Sequence, residues 1–255
     1  MESLNFKLYG TGEPLLVLHG LFGTLDNWQT LGKKLADNYA VYLIDQRNHG
    51  RSPHIEGLDY KLMAADLSQF MEEHYLAKAH VLGHSMGGKT AMQFAFDHGD
   101  KVDKLIVVDI APKAYKGGHE AILHAMRTLP IQTIETRKQA DEHLHQAGIA
   151  QLGIRQFLLK NLTRDPKGGY RWKMNFSEID NNYPNILANI EMTAPHQGET
   201  LFIRGDRSDY ILPTDGDLIR SYFPKAHLVS IEKAGHWVHA EEPQALLEVM
   251  MEFLD

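Results

Sequence analysis

Four short apolar runs in the first 110 residues constrain the fold of this chain more than any other feature of its sequence. They occupy 15–18, 40–44, 79–82 and 105–108, and each gives way abruptly to glycine, histidine or aspartate. Helical patterns fill the stretches between them, at 26–36, 61–76 and 86–98. Strands that are apolar on both faces and alternate with helices are typical of a parallel sheet with crossover helices. The sequence therefore predicts an α/β fold.

The pattern changes after residue 110. No strand of the same kind occurs in the middle third, where helices are predicted near 119–128, 133–147, 150–160 and 185–191. Strand-like runs return at 200–203 and 227–231, and a last helix is predicted over 243–254. Proline at its first position after two glutamates is a favoured helix start. We therefore predict an α/β core formed by 1–110 and 195–255, with a helical cap inserted over 111–194.

Composition excludes several classes of protein. The 255 residues include no cysteine, which removes disulfides, thiolate metal sites and a cysteine nucleophile. A formal net charge of −7 argues against a general nucleic-acid binder. The apolar runs are far shorter than the roughly 18 residues of a membrane span, and the first ten residues lack the pattern of a signal peptide. We expect a cytoplasmic protein without membrane insertion, as a monomer or homodimer.

The motif that carries most chemistry is Gly-His-Ser-Met-Gly at 83–87, where an apolar strand passes directly into a helix. This strand–turn–helix setting is that of a nucleophile elbow. The turn forces strained backbone angles on the serine, and glycine is needed two residues away on each side to avoid clashes. The sequence therefore predicts Ser85 as the nucleophile, with the N–H of Met86 directed at the reacting carbonyl oxygen.

A serine hydroxyl needs a base before it can act as a nucleophile. His236 lies between the last predicted strand and the last predicted helix, directly after Gly235, and is the predicted base. His239 lies one helical turn further on, and we expect it to pack on the core or face solvent.

A second donor for the oxyanion is expected from the loop after an early strand. Residues 19–23, His-Gly-Leu-Phe-Gly, contain the glycines that permit close approach of a free N–H. We predict the N–H of Leu21 for this role, with Phe22 as the alternative. The polar turn at 45–52 is expected to be structural.

These residues together resemble the α/β-hydrolase superfamily. The motifs that carry the resemblance are His19-Gly20, 45–52 (DQRNHGRS), 83–88 (GHSMGG) and Gly235-His236. A narrower similarity, to bacterial YbfF-type esterases, rests on 19–23 (HGLFG), 108–112 (VDIAP), 156–161 (QFLLKN) and 235–240 (GHWVHA).

The resemblance implies a mostly parallel sheet of about seven or eight strands flanked by helices, with the cap inserted after the sixth strand. It also implies a serine carboxylesterase without cofactor, acting through a Ser-His-Asp triad and an acyl-enzyme. The substrates would be small or medium acyl esters, with acyl-CoA thioesters as a further class. Carbon–carbon bond hydrolases and synthases share the elbow and the cap, and a non-catalytic ligand receptor is a rival from a different class.

The acid that orients His236 is open at this point. The superfamily usually places it after the strand before the histidine, where Asp209 has the better spacing and Asp206 is a weaker candidate. The YbfF-type branch uses the position of Asp109, and its later loop contributes a serine that matches Ser208. We favour Asp109, with Asp209 as the alternative.

The predicted cap carries two weaker signals. It contains 11 Lys and Arg and 8 Asp and Glu, so a basic lid is a hypothesis for attracting an anionic acyl substrate, although a solvated helical surface is the more ordinary interpretation. It also contains four histidines, at positions 119, 124, 143 and 145. Without an accompanying carboxylate pattern they are expected at the surface or in packing, and no metal site is predicted.

Overall fold

The computed structural model describes residues 3–255. The strands are β1 (Phe6–Tyr9), β2 (Glu13–Leu18), β3 (Tyr39–Ile44), β4 (Ala79–His84), β5 (Val102–Val108), β6 (Leu162–Arg164), β7 (Tyr170–Trp172), β8 (Glu199–Gly205) and β9 (Ala226–Ile231). The α-helices are α1 (Gln29–Leu35), α2 (Tyr60–Glu73), α3 (Met86–Asp97), α4 (Glu120–Thr128), α5 (Arg137–Gln146), α6 (Leu152–Leu159), α7 (Phe176–Asn181), α8 (Tyr183–Leu187), α9 (Gly216–Tyr222), α10 (Val238–Glu241) and α11 (Pro243–Leu254).

Seven of the strands form one sheet in the order β1-β3-β2-β4-β5-β8-β9. Every neighbouring pair is parallel except β1 and β3. The predicted mostly parallel sheet is therefore confirmed, with seven strands. From β2 the chain first adds β3 on one side and then builds the sheet outward on the other, so its direction reverses between β2 and β4. In open parallel sheets this reversal opens a crevice at the carboxyl ends of the strands.

Both faces of the sheet are buried, as the apolar runs predict. Leu16 of β2 faces a core cluster that α2 and α3 cover, and Leu15 faces a second cluster that α1 and α11 cover. Alternate residues of one strand thus contribute to opposite cores, because successive side chains in a strand point to opposite faces. Because helices cover both faces of the sheet, the ends of its strands are held rigidly.

The structure differs from the sequence prediction in several details. The insertion follows β5, the fifth strand in chain order, whereas the prediction placed it after a sixth strand. The count is lower because only one strand, the short β1, precedes β2. A two-stranded hairpin, β6-β7, lies within the predicted helical cap. Strands of three residues are too short to display an alternating pattern. The short elements β1, α7 and α9 also have no counterpart in the prediction.

Residues 111–194 contain α4 to α8 and the hairpin, and they contact the sheet-forming part through polar bonds. The Tyr60 hydroxyl of α2 donates to the Ile186 carbonyl at 2.6 Å, and the Asn161 amide donates to the Phe22 carbonyl at 2.6 Å. Their division into a separate cap stays a prediction. No helix within residues 3–255 has the length and apolar character needed to cross a membrane.

Candidate active site

The carboxyl ends of four parallel strands bring the predicted site residues together. Leu21 follows β2, Ser85 follows β4, Asp109 follows β5 and His236 follows β9. Two of these strands, β2 and β4, flank the point where the chain reverses direction in the sheet. The site therefore forms where an open parallel sheet is expected to bind its ligand.

Ser85 occupies the strained turn that the motif predicts. Its backbone has φ 55° and ψ −119°, outside the regions that residues with a β-carbon prefer. The glycines leave no room for a side chain: a β-carbon on Gly83 would lie 2.1 Å from the Gly87 carbonyl oxygen, and one on Gly87 would lie 2.5 Å from the Leu18 carbonyl oxygen. The elbow therefore depends on glycine at both positions.

A hydrogen-bonded chain links Ser85 to a buried carboxylate. The Ser85 hydroxyl lies 3.0 Å from Nε2 of His236, and Nδ1 of the same ring lies 2.8 Å from Oδ2 of Asp109. With the Nδ1 proton donated to Asp109, the lone pair of Nε2 is free to accept the serine proton. This arrangement of hydroxyl, imidazole and carboxylate is the one that activates a serine nucleophile.

Asp109, and not Asp209, lies next to the imidazole. The Asp109 side chain is fully buried, and its Oδ1 accepts the Gly205 N–H at 3.0 Å. The Ser208 hydroxyl donates to Oδ2 of the same carboxylate, so Ser208 lies where the YbfF-type resemblance implies. Asp209 and Asp206 are exposed, and neither hydrogen-bonds to His236.

Two aromatic neighbours that the sequence does not single out hold His236 in place. The Tyr210 ring stacks on the imidazole, with 3.8 Å between centroids and 17° between planes. The buried His84 donates from Nε2 to the His236 carbonyl at 2.8 Å. Burial lowers the pKa of His84 well below its usual value, so this ring stays neutral. The middle positions of a Gly-x-Ser-x-Gly motif accept many residues, so no sequence signal marks His84.

His239 is half-buried and also lines the cavity that contains His236. Its ring stacks on Trp28 at a centroid distance of 4.9 Å, and burial lowers its pKa to about 4.

The residues of the two predicted oxyanion donors, Leu21 and Met86, line a cavity together with Ser85. Within residues 3–255, the backbone N–H groups of Leu21 and Met86 donate no hydrogen bond. The N–H of Phe22, the alternative donor, is already bonded to Nε2 of His49 at 3.3 Å. The geometry therefore favours Leu21 over Phe22.

Two narrow cavities meet at Ser85. One contains His236 and is lined by aromatic and aliphatic side chains, including Phe157 and Trp237; it continues into a wider groove beside α6. The other lies on the Met86 side and lacks His236. It is lined by Tyr60, Ile110, Tyr115, Ile186, Leu187 and Tyr210.

The histidines of the predicted cap have different environments. His119 lines both cavities, and its Nδ1 lies 3.0 Å from the Tyr183 hydroxyl. Burial lowers its pKa to about 4. His124 and His145 are exposed, and His143 contacts Thr128. The prediction treated all four alike because spacing along a helix does not reveal which end of it faces a cleft.

Among residues 3–255, the one group able to share a metal ion is Glu13, His80 and Asp103. These residues lie at the amino ends of the central strands, opposite Ser85, and Asp103 already pairs with Lys78 at 2.8 Å.

Comparisons with known proteins identify the family of the chain. The family model described as alpha/beta hydrolase fold matches residues 13–243. The sn-1-specific diacylglycerol lipase ABHD11 of Mus musculus is 36% identical, with 94% of this chain and 80% of that protein covered. Esterase YbfF of Escherichia coli strain K12 is 35% identical, with 95% and 93% covered. A solved structure titled marine microorganism esterase has a TM-score of 0.96 and 44% identity, with 98% and 99% covered. The predicted resemblance to YbfF-type esterases is confirmed, and this chain belongs to the α/β-hydrolase family.

Proposed function

We propose that this protein is a serine carboxylesterase that cleaves small or medium acyl esters through an acyl-enzyme. The observation that carries the proposal is the bonded chain from Ser85 through His236 to the buried Asp109, with distances of 3.0 Å and 2.8 Å. The relatives named as esterases and lipases, similar over almost the whole chain, add independent support.

The proposed reaction has two steps. Nε2 of His236 accepts the Ser85 proton as Oγ attacks the ester carbonyl, and the N–H groups of Leu21 and Met86 stabilise the oxyanion. His236 then protonates the leaving alcohol. A water molecule, deprotonated by the same imidazole, hydrolyses the acyl-enzyme. Asp109 holds the ring in the required tautomer and stabilises the imidazolium. Ser208 and Gly205 keep that carboxylate in place.

The two cavities favour one orientation of the substrate. The leaving alcohol has to lie near His236, its proton donor, and so belongs in the cavity that contains this residue. The acyl chain then occupies the small cavity between Tyr60, Tyr115 and Ile186, which is lined by large side chains. We therefore propose a short or medium acyl group on an apolar alcohol that extends into the groove beside α6.

The charges favour a neutral ester over an acyl-CoA thioester. Lys160 is the cation lining the groove, and the carboxylate of Glu241 lines the same groove. Two of the other basic side chains of the predicted cap are paired with carboxylates, Arg127 with Asp180 and Arg155 with Asp141. Lys160 and Glu241 carry opposite charges, so the groove itself offers a polyphosphate little net positive charge.

Replacement of the nucleophile tests the proposal. Ser85→Ala should lose nearly all turnover of p-nitrophenyl acetate and butyrate while its thermal melting stays cooperative. Ser177→Ala, an exposed serine on α7, is the matched control and should retain wild-type turnover. Wild-type turnover in Ser85→Ala would refute the proposal. Acyl-CoA thioesters tested beside the esters decide between the two substrate classes.

A fluorophosphonate probe separates the enzyme from its non-catalytic rival. The wild-type chain should be labelled at Ser85, since the probe needs a serine activated by its base. A ligand receptor with a misaligned triad would stay unlabelled. Carbon–carbon bond cleavage is tested by supplying vinylogous diketones, which an esterase of this kind should leave intact.

A further inference from the structure

The polar turn at 45–52 is bonded to the loop that carries the predicted oxyanion donor. His49 lies in this turn and is fully buried. Its Nε2 accepts the N–H of Phe22 at 3.3 Å, and its Nδ1 donates to the Arg47 carbonyl at 3.0 Å. Both ring nitrogens are therefore engaged, which assigns one tautomer, with the proton on Nδ1.

Phe22 adopts a backbone conformation that its side chain disfavours. Its φ is 59°, in the left-handed region where a β-carbon crowds the backbone. It forms the third position of a tight turn in which the Gly23 N–H donates to the Gly20 carbonyl at 2.9 Å. At this position of such a turn glycine is the usual residue. Contacts from outside the turn have to hold Phe22 there, and such strain is often found at functional sites.

Two buried side chains hold Phe22 from opposite sides. His49 accepts its N–H, and Asn161 donates to its carbonyl at 2.6 Å. Asn161 is only 1% exposed. With both polar groups of Phe22 bonded, the turn has one defined conformation. Leu21, the residue before Phe22, donates no hydrogen bond from its N–H within the described part of the chain and lines both cavities that meet at Ser85.

The turn that carries His49 is itself rigid. The Asp45 carboxylate accepts the Leu25 N–H at 2.7 Å and the Arg51 N–H at 3.0 Å. Arg47 pairs with Asp66 on α2 through two bonds, of 2.5 Å and 2.7 Å. The imidazole is thus held at a fixed position relative to the sheet. Burial also lowers the pKa of His49 to about 3, so the ring remains a neutral acceptor at working pH.

We propose that His49 is a positioning residue for the oxyanion hole: by accepting the Phe22 N–H, it fixes the turn that presents the N–H of Leu21 to the substrate. The inference rests on the proposed esterase function. It gives the 45–52 motif a part in catalysis, where the sequence alone indicated a structural one. His49 touches no reacting atom and acts through the hole, where negative charge develops only in the transition state, so its loss should lower kcat more than ground-state binding.

The test compares two substitutions of the same residue. His49→Phe keeps a ring of similar size and removes the acceptor, whereas His49→Gln keeps an acceptor near the position of Nε2. Three quantities are measured: kcat per active site titrated with a p-nitrophenyl phosphonate, KM for p-nitrophenyl butyrate, and affinity for a trifluoromethyl ketone. The ketone forms a tetrahedral oxyanion on the serine and so reports on the hole directly.

We expect His49→Phe to lower kcat and ketone affinity together by about 10- to 100-fold, with KM within about threefold of wild type. His49→Gln should recover most of both losses. Wild-type kcat per titrated site in His49→Phe would mean that His49 serves folding only, and would overturn the proposal. Failure of His49→Gln to recover activity would also overturn it, because the acceptor would then not be the relevant group.

The controls keep this outcome separate from the proposed function. Thermal melting reports whether each variant is folded, and site titration corrects kcat for any unfolded fraction. Ketone binding by the wild-type chain that disappears in Ser85→Ala supports the esterase function itself. If the wild-type chain does not bind the ketone, the esterase proposal fails; if it binds and His49→Phe binds equally well, only the role of His49 fails.

Discussion

Substitution of the buried acid gives the sharpest prediction. Asp109 is fully buried and accepts three hydrogen bonds, from His236, Ser208 and Gly205. Asp109→Asn preserves the shape of the side chain but replaces one acceptor oxygen by an NH2 donor. If this donor faces Nδ1 of His236, the ring has to carry its proton on Nε2, opposite Ser85. The imidazole then cannot accept the serine proton.

The size of the effect follows from the inverted tautomer. In serine proteases, the same exchange at the triad aspartate lowers kcat by about 10⁴. That ratio corresponds to about 5.5 kcal/mol of transition-state stabilisation, since each tenfold in rate is about 1.36 kcal/mol. We expect a similar loss here, because the carboxylate and imidazole have the same bonding pattern. KM should change little.

Asp209→Asn is the matched control, with the same chemical change on the neighbouring loop. Asp209 is exposed and makes no bond to His236, so kcat should stay within about threefold of wild type. The assay is p-nitrophenyl acetate hydrolysis at pH 7.5, with thermal melting to establish that both variants are folded. Similar modest losses in the two variants, or a larger loss in Asp209→Asn, would refute the assignment of Asp109.

Two further predictions concern stability. Gly83→Ala should abolish activity and lower the melting temperature strongly, because its β-carbon would meet the Gly87 carbonyl oxygen. Gly153→Ala is the contrasting substitution: open space surrounds this position, so alanine should stabilise α6 by about 0.5 kcal/mol. Burial lowers the pKa of His19 and His239 to about 4, from 6.5. The unfolded chain therefore binds protons first, so the free energy of unfolding should fall between pH 6.5 and 4, by up to about 1.4 kcal/mol per pH unit for each such histidine. Urea titrations at pH 7, 6 and 5 measure this slope, and a flat profile would contradict it.

The fold could be predicted from the sequence because its signals are local. Apolar runs of four or five residues identify buried strands, and the six strands that they predict before residue 110 and after 195 all occur in the sheet. The short elements escaped prediction for the same reason. In β7 the chain is held by a contact with a segment outside the hairpin, where the Tyr170 N–H donates to the Ile131 carbonyl at 2.9 Å, and not by a periodic pattern of its own.

The candidate site, like the fold, could be predicted from the sequence only where its signals are local. The sequence by itself determined the parallel sheet and indicated Ser85 and His236, because the elbow and the strand-end histidine are contiguous motifs whose geometry depends on neighbouring residues. Only the tertiary structure shows that Asp109, and not Asp209, lies beside the imidazole, since this contact depends on how β5 and β8 lie beside β9. It also brought His49, His84 and His119 to the site. These contacts join residues from 27 to 152 positions apart along the chain, and no local pattern encodes them.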